Sequence, residues 1–130
     1  MNILSVGGFN AYGTSNTCLH RHWALEKCAN YIEKINTVSQ GSKIWYKIAY
    51  HLFINHFAVR LPDREHANKA IIERLKHHNF DVLWIDKGIT IFPETLELAK
   101  KMCPGLKIVS YSPDNMALRH NQSQQYLQSL

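Results

Sequence analysis

The segment Asp81–Asp86 holds four consecutive apolar residues, Val82, Leu83, Trp84 and Ile85, between two acidic ones. Successive side chains of a strand point to opposite faces of a sheet, so this uninterrupted run predicts a strand that is apolar on both faces. Both faces must then be covered, as they are in a parallel sheet that carries helices on either side. The segment therefore predicts an α/β fold.

The rest of the chain alternates between strand and helix patterns in the same way. Strands are predicted over 3–6, 35–38, 81–86 and 106–111, and helices over 16–32, 42–59, 64–79, 93–102 and 118–130. With 130 residues, there is enough chain for one hydrophobic core. We expect residues 1–130 to form one domain, a three-layer Rossmann-like sandwich with a mostly parallel, doubly wound sheet.

The helix predicted over 42–59 is unusually apolar. Lys43, Lys47, His51 and Asn55 recur every four residues and form one polar stripe, while nearly all other positions are aliphatic or aromatic. We expect a helix that is buried on most sides. The alternative is a helix that docks on a membrane surface or on a partner through residues 43–57.

The charge and cysteine content limit the partners and the compartment. The net charge is +5, but the basic residues are scattered and their longest run is Lys100–Lys101. This distribution favours acidic small molecules or an anionic surface over nucleic acid. Three irregularly spaced cysteines and an N-terminus without a basic leader indicate a cytoplasmic protein, at the inner face of the membrane if the apolar helix docks there.

Three polar turns follow predicted strands, at the edge where open α/β sheets bind ligands. They are the glycine-rich turn over 7–15, Asp86-Lys87-Gly88, and the turn over 112–115. Each one alone is also compatible with an ordinary structural turn, and the three together indicate a site more strongly than any one of them. Cys18, His20 and His22 do not share one helix face and no metal-binding motif occurs, so no metal site is predicted.

These turns, in this order, resemble the N-terminal domain of GT-B fold glycosyltransferases. The resemblance is carried by residues 2–8, 81–88, 107–115 and 121–123, and is greatest to the bacterial CgeB-like (spore maturation protein) group. Its most specific part is the pairing of the Asp-Lys-Gly turn with the Tyr-Ser-Pro-Asp turn. The segment 39–66 departs from the family pattern.

The resemblance implies one half of a two-domain enzyme. The N-terminal domain would hold a sugar or glycan acceptor, and a C-terminal donor domain, absent from these 130 residues, would bind the nucleotide-sugar. The reaction in such enzymes usually needs no bound metal or cofactor, and the N-terminal domain alone is expected to be inactive. The alternative is a non-catalytic, flavodoxin-like α/β binding or interaction module.

Candidate site residues follow from the turns and the resemblance together. Related inverting enzymes use a His or an acidic residue near the first loop as the base. Asp114 is the best placed candidate, as base or hydroxyl contact; His20 is the nearest in sequence, and Asp86 follows. The expected substrate-binding residues are Gly8, Tyr12, Gly13, Thr14, Lys87 and Asn115.

Overall fold

A computed structural model describes residues 1–10, 15–39, 44–55, 57, 59–115 and 123–130. Within these ranges strands and helices alternate along most of the chain, as the sequence predicts. The elements are β1 (Asn2–Gly7), α1 (Thr17–Glu26), β2 (Tyr31–Asn36), α2 (Ile44–Ile54), α3 (Ala67–His77), β3 (Val82–Asp86), α4 (Pro93–Met102), β4 (Lys107–Tyr111) and α5 (Gln124–Gln128).

The four strands form one parallel sheet in the order β2-β1-β3-β4. Because crossovers between parallel strands are right-handed, reversing direction after β2 puts α1 on one face and α3 and α4 on the other. The predicted α/β fold with a doubly wound sheet is thus confirmed.

The main core lies between the sheet and the α3–α4 layer. Alternate residues of the central strands point into it, and α3 and α4 supply one apolar stripe each. Its fully buried members include Leu4, Val6, Leu83, Ile85, Ala67, Ile71, Leu96 and Ala99. This packing fixes the two central strands, and therefore the loops that leave their carboxyl ends.

The helix predicted over 16–32 is too long. The structure ends α1 at Glu26, and the N–H groups of Cys28 and Ala29 both bond the Leu25 carbonyl. Tyr31–Asn36 instead pairs with β1 along its whole length. The apolar spacing that is typical of a helix continues as far as Ile32, but the hydrogen bonds to β1 make residues 31–36 a strand.

The expectation that α2 is buried on most sides is wrong. In α2, only Phe53 is buried, whereas Ile44 and Trp45 are 65% and 80% exposed. Helix α2 lies in the segment that connects the end of β2 to the start of α3, and both of these points lie at the carboxyl-end edge of the sheet. A helix in such a connecting segment has no sheet face to cover it.

Among the described residues, every helix is too short or too polar to cross a lipid bilayer.

Asp63 caps the start of α3, which begins at Ala67 and not at residue 64, where the sequence predicts it. One Asp63 carboxylate oxygen accepts from the Ala67 N–H and the other from the Asn68 N–H, both at 2.8 Å. Residues 63–66 form a turn that ends at His66 with a left-handed φ of 55°. The side chain that caps α3 therefore comes from a residue that precedes the first turn of the helix.

Asn68 joins the start of α3 to the loop that precedes α4. Its amide nitrogen donates to Asp63 Oδ2 at 2.7 Å and to the Thr90 carbonyl at 2.8 Å. Its amide oxygen accepts from the Phe92 N–H and the Thr95 hydroxyl, both at 2.8 Å. All four hydrogen-bonding positions of this buried side chain are therefore used.

Replacing Asn68 should destabilise the whole domain. Asn68→Ala leaves the Thr90 carbonyl, the Phe92 N–H and the Thr95 hydroxyl without this partner, which predicts a loss of about 3 kcal/mol in the free energy of unfolding. Urea unfolding followed by circular dichroism measures it. Lys69→Ala, an exposed neighbour on α3, is the control and should change stability by less than about 0.5 kcal/mol. Equal stability of the two variants would contradict the proposed role of Asn68.

Candidate functional site

The candidate site lies where β1 and β3 leave the sheet side by side. The chain passes from β1 to α1 on one face and from β3 to α4 on the other, so the two loops diverge. In doubly wound sheets this divergence opens the crevice in which ligands bind. Gly7 ends β1 and Gly8 follows it, while Asp86 ends β3 and Lys87 follows it.

A partly buried ion pair links the end of β3 to α1. Arg21 Nε donates to Asp86 Oδ2 at 2.5 Å, and Arg21 Nη2 donates to Asp86 Oδ1 at 2.9 Å. Asp86 is only 3% exposed, and its hydrogen bond raises the pKa of Arg21. Because both carboxylate oxygens are bound by one guanidinium, Asp86 serves to anchor α1 and is a poor candidate for a catalytic base.

Arg21 also covers an aromatic surface on the sheet. Its guanidinium carbon lies 4.5 Å from the centroid of the Tyr111 ring. The Tyr111 ring in turn lies nearly parallel to that of Trp84, with 6.1 Å between their centroids. Tyr111 is partly exposed, so a ligand at this edge meets both an aromatic ring and a cation.

Gly7 and Cys18 show how closely α1 approaches β1. A Cβ atom at Gly7 would collide with Cys18 Sγ and would lie 3.1 Å from Asp86 Cβ. Burial, followed by the charge of Asp86, raises the pKa of the Cys18 thiol to about 12. The thiol is therefore protonated at neutral pH and acts as a packing group rather than as a nucleophile.

Lys87 and Asp114 are brought together from the two predicted turns. Lys87 Nζ lies 2.6 Å from Asp114 Oδ2, and both side chains are about half exposed. The Lys87 N–H also donates to the Tyr111 carbonyl at 2.9 Å, which fixes the first turn against the end of β4. An ammonium group and a carboxylate thus stand next to each other in solvent at this edge.

The backbone of Lys87 is strained. Its φ of 52° lies in the left-handed region, which costs a residue with a Cβ atom about 1 kcal/mol. The next position, Gly88, is glycine for a packing reason. A Cβ there would lie 2.5 Å from Ile85 Cγ2 and 2.6 Å from the Tyr126 hydroxyl oxygen, which itself hydrogen-bonds Ser110.

Gly8 is held by the residue that caps α1. Asn16 Nδ2 donates to the Gly8 carbonyl at 2.6 Å, while Asn16 Oδ1 accepts from the N–H groups of Cys18 and Leu19. Tyr12, Gly13 and Thr14, the other predicted binding residues of this turn, lie outside the described residues.

The other predicted site residues lie in different surroundings. His20 is on the exposed side of α1, where its ring stacks on Trp23 with centroids 5.4 Å apart. Asn115 is exposed and directly follows Asp114. The charged α1 side chain that bonds the end of β3 is Arg21, which is not among the predicted site residues. Its position three residues after buried Cys18 could have placed it on the face of α1 that packs on the sheet.

His22 is a buried titratable group beneath this region. The side chain is 5% exposed, lies against the Phe9 ring with centroids 5.1 Å apart, and its Nδ1 has no hydrogen-bond partner among the described residues. Burial lowers the pKa of His22 below 6.5, although the charge of Glu26 opposes this shift.

Two substitutions at Lys87 separate backbone strain from the ion pair. Lys87→Gly and Lys87→Ala both remove the ammonium group, but only glycine adopts a φ of 52° without strain. We expect Lys87→Gly to be about 1 kcal/mol more stable than Lys87→Ala in urea unfolding. If the alanine variant is as stable as the glycine variant, Lys87 is not strained.

His22 should make the domain sensitive to acid. As the pH falls below about 6.5, the unfolded chain binds a proton at His22 while the folded chain does not, so the free energy of unfolding decreases. His22→Gln should flatten this decrease between pH 7 and pH 5 in urea unfolding. His20→Gln, on the exposed side of α1, is the control. If the slope is unchanged in His22→Gln, His22 is not the group that makes the domain sensitive to acid.

Comparisons with protein-family models, with curated proteins and with solved structures found no match for this chain. Within the described residues, no group of three or more His, Cys, Asp or Glu side chains is arranged to hold a metal ion. The chemistry that the site offers is that of Lys87, Asp114, Arg21 and the aromatic rings beside them.

Proposed function

We propose that this chain is the acceptor-side domain of a glycosyltransferase, and that the acceptor sugar binds at the carboxyl-end edge of β3 and β4. The observation that carries this proposal is the ion pair between Lys87 and Asp114. It joins the two turns on which the resemblance to GT-B enzymes chiefly depends. A sugar hydroxyl can donate to the carboxylate, and a phosphate or ring oxygen can accept from the ammonium group.

Asp114 is the proposed base. In the inverting form of the reaction, the acceptor hydroxyl gives its proton to the Asp114 carboxylate, and its oxygen attacks the anomeric carbon of the nucleotide-sugar. A new C–O bond forms as the bond to the diphosphate breaks, and the nucleoside diphosphate leaves with the electron pair. Lys87 holds the carboxylate in place beforehand and is available to a phosphate once the proton has moved.

Arg21 and Tyr111 complete the proposed binding surface. A pyranose ring presents an apolar face that packs on aromatic rings, and the part of the Tyr111 ring that Arg21 leaves exposed offers such a surface beside Trp84. The guanidinium of Arg21, already bound to Asp86, adds positive charge next to it. Asp86 is fully engaged by this pair, which leaves Asp114 as the accessible carboxylate of the two.

A second candidate is a non-catalytic α/β module that binds a ligand at the same edge. The observation that favours it is the strand order β2-β1-β3-β4, which is the order of the first four strands in flavodoxin-like folds. Such a module would use Lys87 and Arg21 for an anionic ligand, and Asp114 would only position Lys87.

The two candidates differ in what Asp114→Asn does. In the protein expressed from the whole gene, release of nucleoside diphosphate from a panel of nucleotide-sugars is measured with a cell extract as acceptor. We expect Asp114→Asn to lower kcat about 100-fold or more and to leave KM nearly unchanged. Glu97→Gln, an exposed carboxylate on α4, is the control.

A titration with glucose 6-phosphate, followed by amide chemical shifts in the 130-residue chain, provides an independent measurement. Lys87→Gln should weaken binding about tenfold. Binding without transfer by the whole protein would favour the second candidate. Transfer that is lost in His20→Gln and retained in Asp114→Asn would make Asp114 the wrong base.

A further inference from the structure

Helix α2 is apolar on two opposite sides. One side contains buried Phe53, together with Tyr46 and Tyr50, whose rings stack with centroids 6.2 Å apart. The other side faces solvent with large apolar side chains, Ile44 at 65%, Trp45 at 80% and Ile48 at 46% exposure. In the α-helix these three positions fall within one arc of about 100°.

Positive charge borders this exposed apolar surface. Lys47 and His51 lie beside Ile44 and Ile48 on the helix, and both are exposed. The sequence contains no Asp or Glu from residue 34 to residue 62, although it includes Lys34, Lys43, Lys47 and Arg60. The docking surface of α2, defined as Ile44, Trp45, Lys47, Ile48 and His51, therefore combines apolar and basic groups and lacks acidic ones.

We propose that the docking surface of α2 binds an anionic lipid bilayer, with the helix lying in the plane of the interface. Trp45, Ile44 and Ile48 would enter the boundary between headgroups and acyl chains, and Lys47 would contact anionic headgroups. Helix α2 has 11 residues, so it suits an interfacial position.

Charge favours a lipid surface over a second copy of the chain. Two docking surfaces facing each other would bring Lys47 and His51 of both copies together, with no acidic residue on either surface to neutralise them. An anionic bilayer supplies that negative charge and the apolar environment at the same time.

The docking surface and the candidate site are connected through the same edge of the sheet. The segment that carries α2 leaves the sheet after β2 and returns at the start of α3, and both points lie at the edge that carries Lys87 and Asp114. Both ends of the segment that carries the docking surface are therefore attached at this edge. The docking itself does not depend on the proposed glycosyl transfer, because it uses different residues.

Vesicle co-sedimentation tests the proposal on the full 130-residue chain. We expect binding to vesicles of phosphatidylcholine with 30% phosphatidylglycerol, about tenfold weaker binding in Lys47→Glu, and weaker binding by all forms as salt rises. Trp45→Ser should also weaken binding about tenfold. Leu98→Ser, an exposed apolar residue on α4, is the matched control and should bind like the unmodified chain.

Tryptophan fluorescence tests the same contact with a conservative variant, so that a folding defect does not account for the result. Trp45→Phe retains an apolar ring and should still bind, but it should lose the blue shift that the unmodified chain shows when anionic vesicles are added. Vesicle binding that is equal in Lys47→Glu, Trp45→Ser and the unmodified chain would overturn the proposal. Self-association that Trp45→Ser abolishes, without vesicle binding, would overturn it in favour of a second copy. Absence of both would also overturn it.

Discussion

The charge of the buried Asp86 carboxylate must be neutralised at the end of β3, and much of the site depends on the side chain that neutralises it. A strand that is apolar on both faces ends in an acidic residue with only 3% exposure, and an unpaired charge there would be very costly. Arg21 supplies the bidentate partner. That contact fixes the rotation of α1 about its axis, so Cys18 packs on Gly7 and the guanidinium covers Tyr111.

The same strand end leads directly into Lys87, where the chain adopts an unfavourable backbone conformation. The left-handed turn allows the Lys87 N–H to bond Tyr111 and the ammonium group to reach Asp114. Non-glycine residues in this region of φ are concentrated at functional sites, where surrounding contacts hold them. Here the packing of Gly88 under Tyr126 helps to hold the turn.

Several features were predictable because their causes are local. The apolar run of β3, Pro93 at the start of α4 and the Asn16 cap depend on residues close to one another in sequence. The proximity of Lys87 and Asp114 follows from one general rule, that parallel strands end at one edge. Arg21 was missed because its role depends on which face of α1 meets the sheet, and helical spacing gave that face only through Cys18.

The sequence by itself determined the fold class, the order of most elements and the polar turns that follow β3 and β4, since these follow from periodicity and turn chemistry. The tertiary structure decided where α1 ends, which carboxylate is buried by Arg21 and which is left to solvent, and that α2 is exposed. The first two outcomes depend on contacts between distant segments, namely the pairing of β2 with β1 and the ion pair of α1 with the end of β3. The exposure of α2 depends on the lack of a sheet face beneath the segment that carries it.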